Sequence, residues 1–280
     1  MNLDALKQKL NNLQAKNTGG GEKIDYSKIY WKPSIGKQQI RIVPSKYSPD
    51  NPFVELKFYY GIHNKVMISP LNFGEKDPIA LFAQKLRDGE YTKENYVLAK
   101  KLDPKNRVFV PVVVRGEEDK GVRLWQFGKL VFEELLALAT DDEIGDYTDI
   151  VDGRDLTVDT VGPEVTGTDY NRTSVRVRMK TSPLSEDKAQ VEEWLENQPN
   201  PKEGLFKQYT FDEMKQALAK WLSPEDNEPE IAKNPNSFPP KDKPQSNFSL
   251  DTSKVKESKE DTFDKLFDGN DTDEVDDLPF

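Results

Sequence analysis

The sequence predicts an α+β fold. A mainly-β body, a small and partly open barrel of five strands, carries inserted helical segments and is followed by a disordered acidic tail. Three observations predict it. Residues 107–129 (RVFVPVVVRGEEDKGVRLWQFGK) read as two strands joined by a polar turn bounded by Gly116 and Gly121. Strand-like segments recur five to seven times, with helices and long loops between them rather than regular β–α alternation. Charge is divided along the chain: residues 1–185 carry 28 Lys and Arg against 26 Asp and Glu, whereas 186–280 carry 12 against 24. The net charge of -10 therefore belongs to the C-terminal third, as in a binding body with an acidic tail.

Along the chain, Leu3, Leu6, Leu10 and Leu13 recur at helical spacing with lysines between them, and residues 3–16 form an amphipathic helix. Gly19, Gly20 and Gly21 detach it from the body, so 1–20 is a separate arm suited to contact with another copy or with its own body. The body spans 21–222. Strands are predicted over 38–43, 53–62 and 65–68, and a helix over 78–86, where Ile79, Phe82, Ala83 and Leu86 share a face. Residues 91–102 are mixed in character. In the central hairpin, alternation puts Arg123, Trp125 and Phe127 on one face, either a stacking platform or a core face. A helix over 130–139 and strands over 150–161 and 173–180 follow. The last of these separates Val175, Val177 and Met179 from Arg176, Arg178 and Lys180. Helices over 186–197 and 211–222, the second capped by Thr210, close the body. Residues 223–280 are a Pro-, Asn-, Ser- and Asp-rich linker and an acidic tail with spaced hydrophobic residues, a composition that predicts disorder and a protein-recruiting peptide.

Composition excludes several chemistries. There is no cysteine and one histidine, His63, which removes thiolate metal sites and nucleophile triads that need Cys or several His. The glycine triplet lacks the Lys-Ser/Thr of a phosphate loop. The acidic group Asp141, Asp142, Glu143, Asp146, Asp149 and Asp152 reads as a solvated loop rather than a Mg²⁺ site, because hard-metal sites need carboxylates from several elements. The chain is not expected to be an enzyme. It shows neither an apolar signal core nor a membrane-length run, and no membrane partner is expected.

Binding to single-stranded nucleic acid needs cations for phosphates and aromatic faces for bases. The two interleave in four places: Tyr96 with Lys100, Lys101 and Arg107; Arg123 with Trp125; Tyr170 with Arg172, Arg176 and Arg178; and Tyr59 and Tyr60 with Lys57 and Lys65. A protein-interaction adaptor with peptide ligands at both ends is the alternative from another class.

The order IRIVPSK (40–46), NPF (51–53), Tyr96 before Lys100 and Lys101, the apolar strand over 108–114 and WQFGK (125–129) resembles the single-stranded DNA-binding, helix-destabilising proteins of T-even-like tailed phages. The resemblance runs over residues 1–222, and the tail matches in type. It implies an OB-fold core that coats exposed strands in replication, recombination and repair. It implies self-association along DNA through the N-terminal segment, and recruitment of phage replication and recombination proteins by the tail. The setting it implies is the host cytoplasm. The cleft positions it implies are Tyr96, Lys100, Lys101, Phe109, Trp125 and Tyr170, with Arg41 and Lys46; Trp125 stands first as a base-stacking residue. DDLPF (276–280) also resembles the tail tip of bacterial single-stranded DNA-binding proteins. With the hydrophobic residues spaced through the acidic tail, it makes Phe263, Phe267, Asp276, Asp277, Leu278, Pro279 and Phe280 the expected partner-binding set.

Two features depart from the family. Its structural zinc, held by one His and three Cys, has no counterpart ligands in SPLNFGEKDPIALFAQKL (69–86). No cofactor is expected, with packing by Leu71, Phe73, Ile79, Leu81 and Phe82 in place of the metal. The N-terminal arm is also less basic than the family's.

Overall fold

The computed structural model describes residues 26–48, 50–62, 66–89, 91–222, 262, 263 and 265–267. The expected N-terminal helix, His63 and the tail tip 276–280 lie outside them. The described chain is a mixed sheet with several helices. It divides into two compact units: residues up to 54 with 108–201, and 55–107 with the residues after 201. Each is taken separately.

Unit 1 begins with a short helix, α1 (Tyr26–Ile29), and a two-residue strand, β1 (Tyr30–Trp31). β2 (Gly36–Ile42) follows. The chain returns with β5 (Lys105–Val114), which starts in unit 2, then β6 (Arg123–Phe127) and helix α4 (Lys129–Ala139). β7 (Arg154–Val161), a single turn α5 (Pro163–Thr166), β8 (Arg172–Thr181) and α6 (Lys188–Glu196) complete it. The strand order is β1-β6-β5-β2-β7-β8. The β1–β6 pair is parallel and the others are antiparallel.

The β5–β6 hairpin follows its sequence pattern. Gly116 and Gly121 take φ of 87° and 65°, the left-handed region where a side chain would be strained. The register pairs Val112 with Arg123, Val110 with Trp125 and Val108 with Phe127. This face is packed inward. Val108, Val110, Val112, Trp125 and Phe127 join Ile40, Ile42, Leu156, Val158 and Val175 in one core, closed by Val131 and Leu135 of α4. The opposite face of β5 packs Val113, with Val43 just past the end of β2, against Leu184 and against Trp194 of α6.

Unit 2 contains β3 (Val54–Tyr59, entered from unit 1) paired antiparallel with β4 (Met67–Ile68), a 3-10 turn over Pro70–Phe73, and helices α2 (Pro78–Asp88), α3 (Lys93–Lys101) and α7 (Phe211–Leu222). Its core joins Tyr59, Met67, Ile79, Phe82 and Leu86 to Leu98, Met214 and Leu218. Local signals set its helix starts. Asp77 Oδ1 accepts the backbone N–H groups of Ile79 and Ala80 at 2.9 and 3.2 Å. Thr92 Oγ1 accepts Asn95 N–H at 3.1 Å. Thr210 and Glu213 form a reciprocal box, Thr210 N–H to Glu213 Oε2 at 2.9 Å and Glu213 N–H to Thr210 Oγ1 at 3.2 Å.

Ile79 and Phe82 are fully buried, and Leu71, Phe73 and Leu81 are half-buried. The center of this region is nevertheless polar. Asp77 is inaccessible, and its Oδ2 receives Tyr59 Oη at 2.9 Å and Ser69 Oγ at 2.5 Å. Burial, with Asp77 beside it, pushes the Tyr59 hydroxyl well above the usual tyrosine range, so it stays a donor.

Candidate nucleic-acid interface

In unit 2, exposed rings and cations are held by local structure. Tyr96, one turn before Lys100 on α3, is half exposed, and Lys100 and Lys101 fill the last turn, where positive charge suits the carbonyl end of a helix. Only Leu98 and Ala99 of α3 are buried, which leaves the rest of the helix to solvent. Tyr91, 82% exposed and just before the Thr92 cap, lies with its ring center 6.4 Å from that of Tyr96 at 49°. The guanidinium of Arg107 sits 5.5 Å over the Tyr60 ring, and its Nε–H donates to Tyr60 Oη at 3.4 Å. Tyr60 is exposed as its sequence pairing with cations predicts, but Arg107 rather than Lys57 or Lys65 is the cation over its ring, and Tyr59 beside it is buried; Tyr91 is absent from the expected set, and its signal is its place beside the α3 cap.

In unit 1, a trough of about 1130 Å³ runs between the start of α4 and the segment joining β7 to β8. Lys32, Lys129, Tyr170 and Arg172 line it, with Trp125 and Phe127 among the apolar residues beneath. Tyr170 is 77% exposed. Lys129 pairs with Glu133 at 3.3 Å. On β8, Arg172, Arg176, Arg178 and Lys180 are all exposed; Arg172 and Arg176 share one face by alternation, and the pairing register is irregular between Val177 and Thr181. The structure thus places Tyr96, Lys100, Lys101, Tyr170, Arg172, Arg176 and Arg178 at the surface, with Arg107 half-buried against Tyr60.

Four expected contacts are corrected by burial. Trp125 is 2% exposed, edge-on to Trp31 with centroids 5.4 Å apart, and 4.7 Å from Phe127. A base cannot stack on a ring so covered; Trp125 is a core residue. Phe109 is inaccessible and packs 6.4 Å from Tyr30. Arg41 is also inaccessible. Its guanidinium donates to the carbonyls of Asp149 at 3.0 Å and Ser182 at 2.6 Å and pairs with Asp155 at 3.3 Å. Arg115 holds the same carboxylate at 2.8 Å. Gly153 makes room for Arg41: a Cβ there would meet the guanidinium at 2.6 Å and the Asp149 carbonyl at 2.2 Å. Burial lowers the pKa of Arg41, opposed by Asp155. Arg123 is 5% exposed and bound to Glu117 at 2.6 Å, which with Lys120 holds that carboxyl below its usual range. Lys46 is exposed, but its Nζ donates to the Glu196 carbonyl at 3.1 Å, at the end of α6.

No group of three or more His, Cys, Asp or Glu suited to a metal ion occurs among the described residues. Over residues 69–86, the one buried carboxylate, Asp77, is surrounded by hydroxyl and amide donors, and that set does not fit a cation. No described helix is long and apolar enough to cross a membrane.

Exposed rings set among cations on a mixed α+β scaffold are the chemistry of a nucleic-acid-binding protein, because bases offer π-faces and phosphates offer charge. Residues 35–222 match the family described as gp32 DNA binding protein like. That is well over half of the chain, and the protein belongs to this family of gp32-like single-stranded DNA-binding proteins. None of the curated proteins compared with it matches.

Proposed function

We propose that this protein binds single-stranded DNA without reading its sequence, and that it coats and protects strands exposed during phage DNA replication, recombination and repair in the host cytoplasm. The observation that carries this reading is the surface of unit 2, where Tyr91, Tyr96, Lys100 and Lys101 stand exposed on and beside one helix, inside a gp32-like DNA-binding domain. Tyr170 with Arg172, Arg176 and Arg178 supplies a second set of the same chemistry. Its role is to bind rather than to catalyse, on an OB-fold-like core, without zinc. The residues 276–280 recruit replication and recombination proteins, and the N-terminal helix mediates self-association along the strand.

The test is a fluorescence-anisotropy titration of the full chain with labelled oligo-dT, a mixed-sequence strand and its duplex across a salt series. Similar affinity for both single strands, weaker binding to the duplex and a fall in affinity with salt are expected. Absence of single-strand binding at low salt overturns the reading. One observation favours an adaptor instead: Leu130 and Val165, which line the unit 1 trough, are 74% and 70% exposed. An apolar peptide that binds there unaffected by oligo-dT would support that role.

A further inference from the structure

The acidic tail meets the body at one described place. Phe263 is only 8% exposed and belongs to the unit 2 core. Its ring lies 5.9 Å from Phe82 of α2 and 4.8 Å from Phe267. Phe267 lies 6.0 Å from Phe211 at the start of α7, and Leu266 packs on the same cluster. Lys215 of α7 clamps the pair. Its Nζ stands 6.0 and 5.1 Å from the two ring centers and donates to the Phe267 carbonyl at 3.3 Å. Thr262, Phe263, Lys265, Leu266 and Phe267 are helical, and so short a helix has no stability of its own in water. Residues 223–261 separate it from α7 in sequence. Two phenylalanines one helical turn apart, seated between helices, are the geometry of a peptide in a groove rather than of a domain's own continuous core.

We infer that the α2–α7 face of unit 2 is a peptide-docking site for a short helical segment with phenylalanines four residues apart, and that the chain fills it in cis with residues 262–267. The inference goes beyond DNA binding and does not rest on it. Its consequence is geometric. An extended chain spans at most about 3.5 Å per residue, so Phe280 reaches no more than about 45 Å from a docked Phe267, against roughly 200 Å from Leu222 if the segment is released. Docking confines the acidic end to the neighbourhood of unit 2 and withholds Phe263 and Phe267 from other partners. A partner segment with the same aromatic spacing competes for the face directly.

Limited chymotrypsin digestion of the full-length protein, without DNA, tests this. Cleavage after Phe267 should be at least about tenfold faster in Phe263→Ala than in the wild-type chain, and at least about threefold faster in Lys215→Glu, which leaves the cleaved bond and the core phenylalanines intact. The wild-type rate should be unchanged over a hundredfold dilution, since docking in cis does not depend on concentration. Wild-type cleavage as fast as in both variants overturns the docking site, and a rate that rises on dilution overturns docking in cis. Circular dichroism of both variants confirms that the body is folded when the comparison is made.

Discussion

The β5–β6 hairpin of unit 1 and helix α3 of unit 2 carry much the same side-chain chemistry to opposite ends. In the hairpin, Arg123, Trp125 and Phe127 share a face, and that face is core. In the helix, Tyr96 and Lys100 share a face, and it is open to solvent. The difference lies in what each element has to cover. On this face of β6, apolar neighbours on β5, β2 and α4 recruit Trp125 and Phe127, and Glu117 holds the buried Arg123 at the end of the row. α3 offers only Leu98 and Ala99 to its core, and Tyr96, Lys100 and Lys101 stay exposed. A cationic-aromatic motif is informative about a ligand only after the element's apolar requirement has been met.

Trp125→Ala gives the sharpest break. If the row is core, this substitution costs about 3–5 kcal/mol of stability, read as a lowered urea midpoint. A variant of wild-type stability that lost oligonucleotide affinity would reverse the assignment of the two regions. Tyr96→Ala is the converse. Stacking contributes about 1–3 kcal/mol per base, roughly a five- to 150-fold loss of affinity, with the melting temperature unmoved. Unaltered affinity would remove α3 from the interface. Lys100→Ala with Lys101→Ala should flatten the salt dependence of binding, measured by the same titration over a salt series. The log–log slope should fall by about 0.7 for each phosphate that these lysines neutralise.

The smallest effect lies at Tyr30 of β1. The Tyr30 hydroxyl is buried without a hydrogen-bond partner, and burial, with Tyr26 nearby, pushes its pKa up to about 12. A raised pKa means the folded chain holds the proton after the unfolded chain has lost it. The stabilising contribution is therefore complete below the usual tyrosine value of about 10 and is lost as pH rises from there toward 12. Tyr30→Phe should leave stability at neutral pH within about 0.5 kcal/mol and make its decline above pH ~10 shallower in urea titrations. An unchanged alkaline profile would remove Tyr30 from it.

Local pattern made much of the fold legible. The helix over 211–222 and its Thr210 cap stand where periodicity and capping chemistry put them, and β8 differs from its expected span by one residue at each end. These are short-range properties. Burial of Arg41 was not legible, because its partners Asp155 and Ser182 lie more than a hundred residues away and no local signal reports them. Tyr59 and Tyr60 show the same limit at its narrowest. They are adjacent in sequence, yet one hydrogen-bonds a buried aspartate and the other lies under the guanidinium of Arg107. The two-residue β1 and the turn α5 are too short to leave a periodic trace.

β8 ends the strand order of unit 1, and a terminal strand is a template on which another chain can pair. Here the side chain of Glu134, from α4, accepts the Val175 backbone N–H at 2.9 Å, and a row of arginines and a lysine projects along the same strand. A second copy approaching edge to edge meets an already engaged donor and like charge. The open edge of this sheet thereby carries its own guard against amyloid-like growth, and Glu134→Ala with charge removal on β8 is where its shelf life would begin to fail.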